Sequence, residues 1–291
     1  MLYKGMLMLK TKTDRPASFP WTFVGLTYAI SWTVWITGWF ALGKPEQPTQ
    51  GGAIFAFILV GSFGPGLAAA ILTMRGGRDE FLAWARAFVN LRCGWRAYAA
   101  ALLPFPLAAL LLTVLLGYEP LTDAAGGQPA WTFYATIFPA AILNGIVTAA
   151  TGAGPIGEEG GWRGYLLPRL LESGGEVRAS LIIGVIWALW HLPPMAMFSE
   201  WRGGIPFWTY LPLYVVFATA LSFLFTRVWL IGRGSLVPII WLHGIVNAIG
   251  SMAFNTRTWA SPWSQEAAAL FFAAAGLLAA ASLAKRPSTK G

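Results

Sequence analysis

Apolar residues in this chain gather into blocks roughly as long as a bilayer is thick, and most charged residues fall between the blocks. A helix needs about 20 apolar residues to cross the hydrocarbon core. Eight blocks meet that length, at 20–42, 53–74, 98–117, 131–152, 179–199, 206–228, 235–254 and 265–284. They are rich in Gly, Ala, Ser and Thr, the small residues that let helices approach closely in lipid. One stretch between the second and third blocks differs. From Phe81 to Arg96, the apolar Trp84, Phe88 and Leu91 are set against Arg86, Arg92 and Arg96, the pattern of a helix lying in the membrane interface. The expected fold is all-α: a polytopic membrane protein of about eight transmembrane helices with this interfacial amphipathic helix, one integral domain over residues 1–291.

Composition agrees. Of 291 residues, 56% are hydrophobic and 11% charged, against about 25% charged in soluble domains. The lone cysteine, Cys93, leaves no partner for an intramolecular disulfide and no cysteine-based zinc site. A net charge of +8 does not imply nucleic acid, because the basic residues lie between apolar blocks rather than on one soluble face. They report orientation instead. With eight spans, 17 of the 20 Lys and Arg residues fall on the side of the termini, leaving Lys44, Arg202 and Arg257 opposite. Cytoplasmic loops carry the excess of positive charge, so both termini are expected in the cytoplasm.

Against this apolar background a few polar residues stand out. Glu158 and Glu159 follow the fourth block, with Arg163 four residues on; the fifth and seventh blocks carry His191 and His243, the only two histidines. Ionisable groups at membrane depth are costly and mark function by default. Glu159 and Arg163 are i,i+4 with the acid N-terminal, the favourable order for an ion pair. Glu158 points about 100° away on the same helix, and its own i+4 position is Trp162. One acid is thus expected to be paired and structural, the other free to act as a general base. Trp187 and His191 share a helix face, as do His243 and Asn247. An indole can wall the first imidazole. The second imidazole and the amide are suited to donate to a developing oxyanion, while His191 with Glu158 suits a water to be deprotonated. From the helix starts, His243 lies about 12 Å and His191 about 18 Å deep, so the three elements meet inside the membrane in a cavity open to the cytoplasm. Pro155, Pro193 and Pro194 mark the expected kinks.

Other chemistries lack their motifs. No Gly-x-Ser-x-Gly elbow, His-Glu-x-x-His pair or complete Gly-x-x-x-x-Gly-Lys-Ser/Thr nucleotide loop is present. Glu158, His191 and His243 also form a ligand set that a catalytic zinc accepts. Against zinc, neither imidazole has an evident second acceptor in the spans. A metal-free site is therefore favoured, with zinc left open.

The three motifs together resemble those of the CAAX protease and bacteriocin-processing family, the Abi or Rce1-like intramembrane proteases. The family's Glu-Glu-x-x-x-Arg, Phe-x-x-x-His and His-x-x-x-Asn stand here as Glu158-Glu159-Gly-Gly-Trp-Arg163, Trp187-Ala-Leu-Trp-His191 and His243-Gly-Ile-Val-Asn247, within a core of about 130–255. Trp187 departs from the usual phenylalanine but keeps an aromatic ring. The resemblance implies an intramembrane endopeptidase in which Glu158 and His191 activate water, His243 and Asn247 form the oxyanion hole, and Glu159 and Arg163 brace the site. It implies a membrane-associated peptide or protein substrate, with or without a lipid. Two other functions use the same residues: a catalytically silent immunity or scaffold protein retaining the motif, and an ion-coupled transporter.

Overall fold

The computed structural model describes residues 20–46, 52–104, 154–202 and 205–255, with isolated positions 139, 142, 143, 146 and 147; for 200 and 248–255 only the backbone is described. All regular structure among these residues is helical. The helices are α1 (Trp21–Ala41), α2 (Ala53–Gly61), α3 (Gly64–Gly76), α4 (Arg78–Ala87), α5 (Trp95–Leu102), α6 (Pro155–Gly161), α7 (Leu167–Trp190), α8 (Leu192–Met197), α9 (Phe207–Ile231) and α10 (Val237–Asn255). A π-helical turn, Trp162–Leu166, joins α6 to α7. Two stretches, Ala53–Gly76 and Phe207–Ile231, are long and apolar enough to cross a membrane. The expected spans at 98–117 and 131–152 lie largely, and that at 265–284 wholly, outside the described residues.

Several helices fall where the hydrophobic pattern puts them, notably α1 for 20–42 and α9 for 206–228. Others are divided. The block at 53–74 breaks at Ser62-Phe63 into α2 and α3, with Pro65 in the first turn of α3, where its missing N–H costs nothing. The interfacial segment is two helices, not one. It stops at Ala87 and restarts at Trp95 after Gly94, whose φ of 81° suits glycine. The block at 179–199 begins earlier, at Leu167, passes a kink at Gly175 (φ 74°, ψ 179°) and ends at Trp190. Pro193 and Pro194 explain that end: they lack the N–H groups that the carbonyls of Leu189 and Trp190 would otherwise bind. Trp32 of α1 takes over one of them, its indole donating to the Trp190 carbonyl at 2.9 Å.

α7 packs most extensively along α9, and α6 against α3 and α10. Close approach on α7–α9 depends on Gly184, where a side chain would run into the Thr219 backbone; Ser180 donates to Thr226 Oγ1 at 2.9 Å in the same interface. On α6 the face carrying Gly157 and Gly161 meets α3. A Cβ at Gly157 would stand 2.7 Å from Phe63 Cα, and one at Gly161 would strike Pro65. These two glycines, one turn apart, let a seven-residue helix press its backbone against α3. Its two glutamates consequently face the other helices.

Candidate active site

Glu158 and Glu159 are both buried, at 5% and 0% exposure. They occupy the first turns of α6, which starts at Pro155 after the positive-φ Gly154. The two acids have different partners, as the helix geometry predicts. Arg163, also fully buried, places Nη1 3.0 Å from Glu159 Oε1 and 3.1 Å from Oε2. Its guanidinium lies between aromatic faces, 4.4 Å from the Phe225 centroid and 4.7 Å from that of Trp187. Its charge is balanced inside the protein, so Arg163 does not count toward the orientation. The π-helical turn that carries Arg163 is a feature frequent at functional sites.

Contacts between helices complete the site, and no local spacing indicates them. His243 on α10 places Nδ1 2.7 Å from Glu159 Oε1. Because a carboxylate oxygen accepts, that nitrogen donates, and Nε2 is turned free for other work. Glu159 thus holds both Arg163 and His243. Glu158 is not bare either, since the Trp187 indole N–H donates to its Oε2 at 2.8 Å. His191 caps the end of α7 and donates from Nδ1 to the Trp187 carbonyl at 2.9 Å, again leaving Nε2 as the available nitrogen. Trp187, Trp190, Trp201 and Tyr214 surround His191 with centroids 4.7–6.4 Å away. Trp187 is also 5.5 Å from His243, edge to face. Glu158, Glu159, Arg163, Trp187, His191 and His243 are therefore one buried cluster. Asn247 differs: it lies one turn beyond His243 on α10 and is exposed.

The expectation that neither imidazole has a second acceptor is overturned. Both do, in Glu159 and the Trp187 carbonyl. Such partners orient metal-bound and metal-free histidines alike. Among the described residues, however, no three His, Cys, Asp or Glu groups are gathered so as to hold a metal ion.

The amphipathic helix α4 is fastened to this cluster. Trp84 donates from its indole to the Gly160 carbonyl at 2.8 Å, Arg169 of α7 pairs with Glu80, and the Ala87 carbonyl accepts from Leu236 N at 2.9 Å. An apolar cavity of about 500 Å³ opens beside α6 and α10, lined by residues including Phe88, Leu91, Tyr98, Ile156, Ile240 and Trp241. The sequence carries no recognisable signature for such a cavity, because its wall comes from four separate segments.

The described residues thus combine two apolar segments long enough to cross a membrane with a buried glutamate–histidine cluster. Residues 138–249 match the family described as Type II CAAX prenyl endopeptidase Rce1-like. That segment, which carries all three motifs, is similar to the Rce1-like family. A protein of Methanococcus maripaludis named CAAX prenyl protease 2 is 24% identical over 240 residues, covering 76% of this chain and 80% of the relative.

Proposed function

We propose that this protein is a glutamate-dependent intramembrane endopeptidase, with eight spans and both termini in the cytoplasm, that cuts a membrane-held, lipid-modified protein near the cytoplasmic face. The observation that carries the reading is the division of labour between the adjacent acids. Glu159 is consumed by Arg163 and His243, whereas Glu158 has one oxygen bound by an indole and the other uncommitted in the described contacts. Glu158 accepts a proton from a water that the free Nε2 of His191 helps to hold, and the resulting hydroxide attacks the scissile carbonyl. Negative charge then develops on the carbonyl oxygen. His243 Nε2 and Asn247 stabilise it by donating hydrogen bonds, His243 in its doubly protonated form with Glu159 as counter-charge. Glu158 returns its proton to the departing amine. The lipid of the substrate is received by the apolar cavity that shares α6 and α10 with the site. No metal takes part.

The test uses purified protein in liposomes and an internally quenched peptide ending in a farnesylated Cys-aliphatic-aliphatic-X sequence, beside its unprenylated twin. Cleavage of the farnesylated peptide is expected, with Glu158→Gln and His191→Ala each lowering kcat by about 10³-fold or more. Full cleavage by a well-inserted Glu158→Gln protein would overturn the mechanism; equal cleavage of both peptides would overturn the lipid assignment.

A further inference from the structure

Trp187 does more than wall the histidine. Its indole N–H donates to Glu158 Oε2 at 2.8 Å, and its main-chain carbonyl accepts from His191 Nδ1 at 2.9 Å. One residue therefore holds the carboxylate with its side chain and the imidazole with its backbone. The indole is itself fixed, at 4% exposure, by the Arg163 guanidinium on its face, by Phe225 at 5.7 Å and by His243 at 5.5 Å. Two neighbouring indoles show that such a bond is not automatic. Trp162 and Trp190 are fully buried in the same core, and their Nε1 atoms have no hydrogen-bond partner among the described residues. Those rings only fill space. Trp187, standing where the motif usually has a phenylalanine, adds a donor that phenylalanine lacks.

We infer that Trp187 is a positioning residue for the reaction, a bracket that sets Glu158 and His191 relative to one another and directs the base through a single oxygen. This rests on the reading of Glu158 as the base. With Oε2 tied to the indole, proton transfer runs through Oε1. That atom lies toward Gly154, where even an added Cβ would stand 3.6 Å away, in ordinary contact. Losing the N–H frees the carboxylate to rotate, so fewer bound complexes have Oε1 aligned with the water. The loss falls on the chemical step and not on substrate binding.

Two substitutions separate the bond from the packing. Trp187→Phe removes the N–H and part of the ring. Trp187→β-(3-benzothienyl)alanine replaces the N–H by sulfur in a ring of nearly the same shape. With the farnesylated peptide, the isostere is expected to lower kcat about ten- to a hundredfold, the range of a hydrogen bond to a charged group, with KM within about twofold and thermal unfolding unchanged. In micelles, the indole ¹⁵N–¹H resonance that disappears in Trp187→Phe should move in Glu158→Gln. An isostere that keeps wild-type kcat while Glu158→Gln is inactive overturns the bracket and leaves the proposed mechanism standing. Activity retained in Glu158→Gln overturns both. If the wild type leaves the peptide uncut, the resonance decides: unmoved in Glu158→Gln, it overturns the bracket.

Discussion

Replacing Arg163 by methionine tests the energetic core of the site. The substitution leaves Glu159 at 0% exposure with His243 as its remaining recorded partner. Breaking a buried pair from one side costs about 3–5 kcal/mol, because an uncompensated charge stays behind. Lost contact with the Trp187 and Phe225 rings adds up to about 2 kcal/mol, part of which the methionine restores by packing. Against a total stability of about 5–15 kcal/mol, the variant stands near the edge of folding. The pair itself is a weak net stabiliser, however. Arg163 Nε and Nη2 are buried with no hydrogen-bond partner among the described residues, so the intact guanidinium already bears part of its desolvation cost. Removing both charges, in Glu159→Gln with Arg163→Met, is accordingly expected to be milder than Arg163→Met alone. Reversible unfolding in mixed detergent micelles measures the wild type and both variants. A loss below about 1 kcal/mol for Arg163→Met, the range of an exposed pair, would refute the claim that this charge is buried and balanced internally.

Two further outcomes follow from the packing and from the ligand geometry. Gly161→Ala forces a methyl group into Pro65 of α3, and overpacking of this kind costs about 1–3 kcal/mol; the melting temperature falls, whereas Gly25→Ala, with open space at its Cβ, leaves it unchanged. Dialysis of active protein against EDTA is expected to keep cleavage of the farnesylated peptide within about twofold. Loss of activity that zinc restores would show a metal-dependent site.

Much of the site was legible because it is local. The i,i+4 spacing of Glu159 and Arg163 defines an ion pair that the structure contains, whereas Glu158, expected to be free, accepts a hydrogen bond from the Trp187 indole. The Pro193-Pro194 step, expected as a kink within 179–199, instead ends α7 at Trp190. What was not legible depends on helix packing. His243 and Glu159 are 84 residues apart, and Trp187 and Glu158 are 29 apart. Periodicity gives the face a residue occupies, not the helix that face will meet. Arg163 drops out of the orientation count for a related reason: counting charges assumes that each one faces water, and an internal partner breaks the assumption. The division of Phe81–Arg96 has a different origin. Its amphipathic pattern is sound, but Gly94 at positive φ turns the chain between α4 and α5.

The adjacency of Glu158 and Glu159 now has a structural reason. Consecutive helical residues diverge by about 100°, so two neighbours on one short helix address two different helices. Glu158 meets α7 through Trp187, and the Trp187 carbonyl carries the contact on to His191. Glu159 meets α10 directly at His243. The third direction on α6, lined by Gly157 and Gly161, is pressed against α3 and fixes the rotation of the helix. With that rotation fixed, both imidazoles are brought into register by acids that cannot exchange roles: an extra residue inserted ahead of Glu158 would turn the pair by about 100° and uncouple both histidines at once.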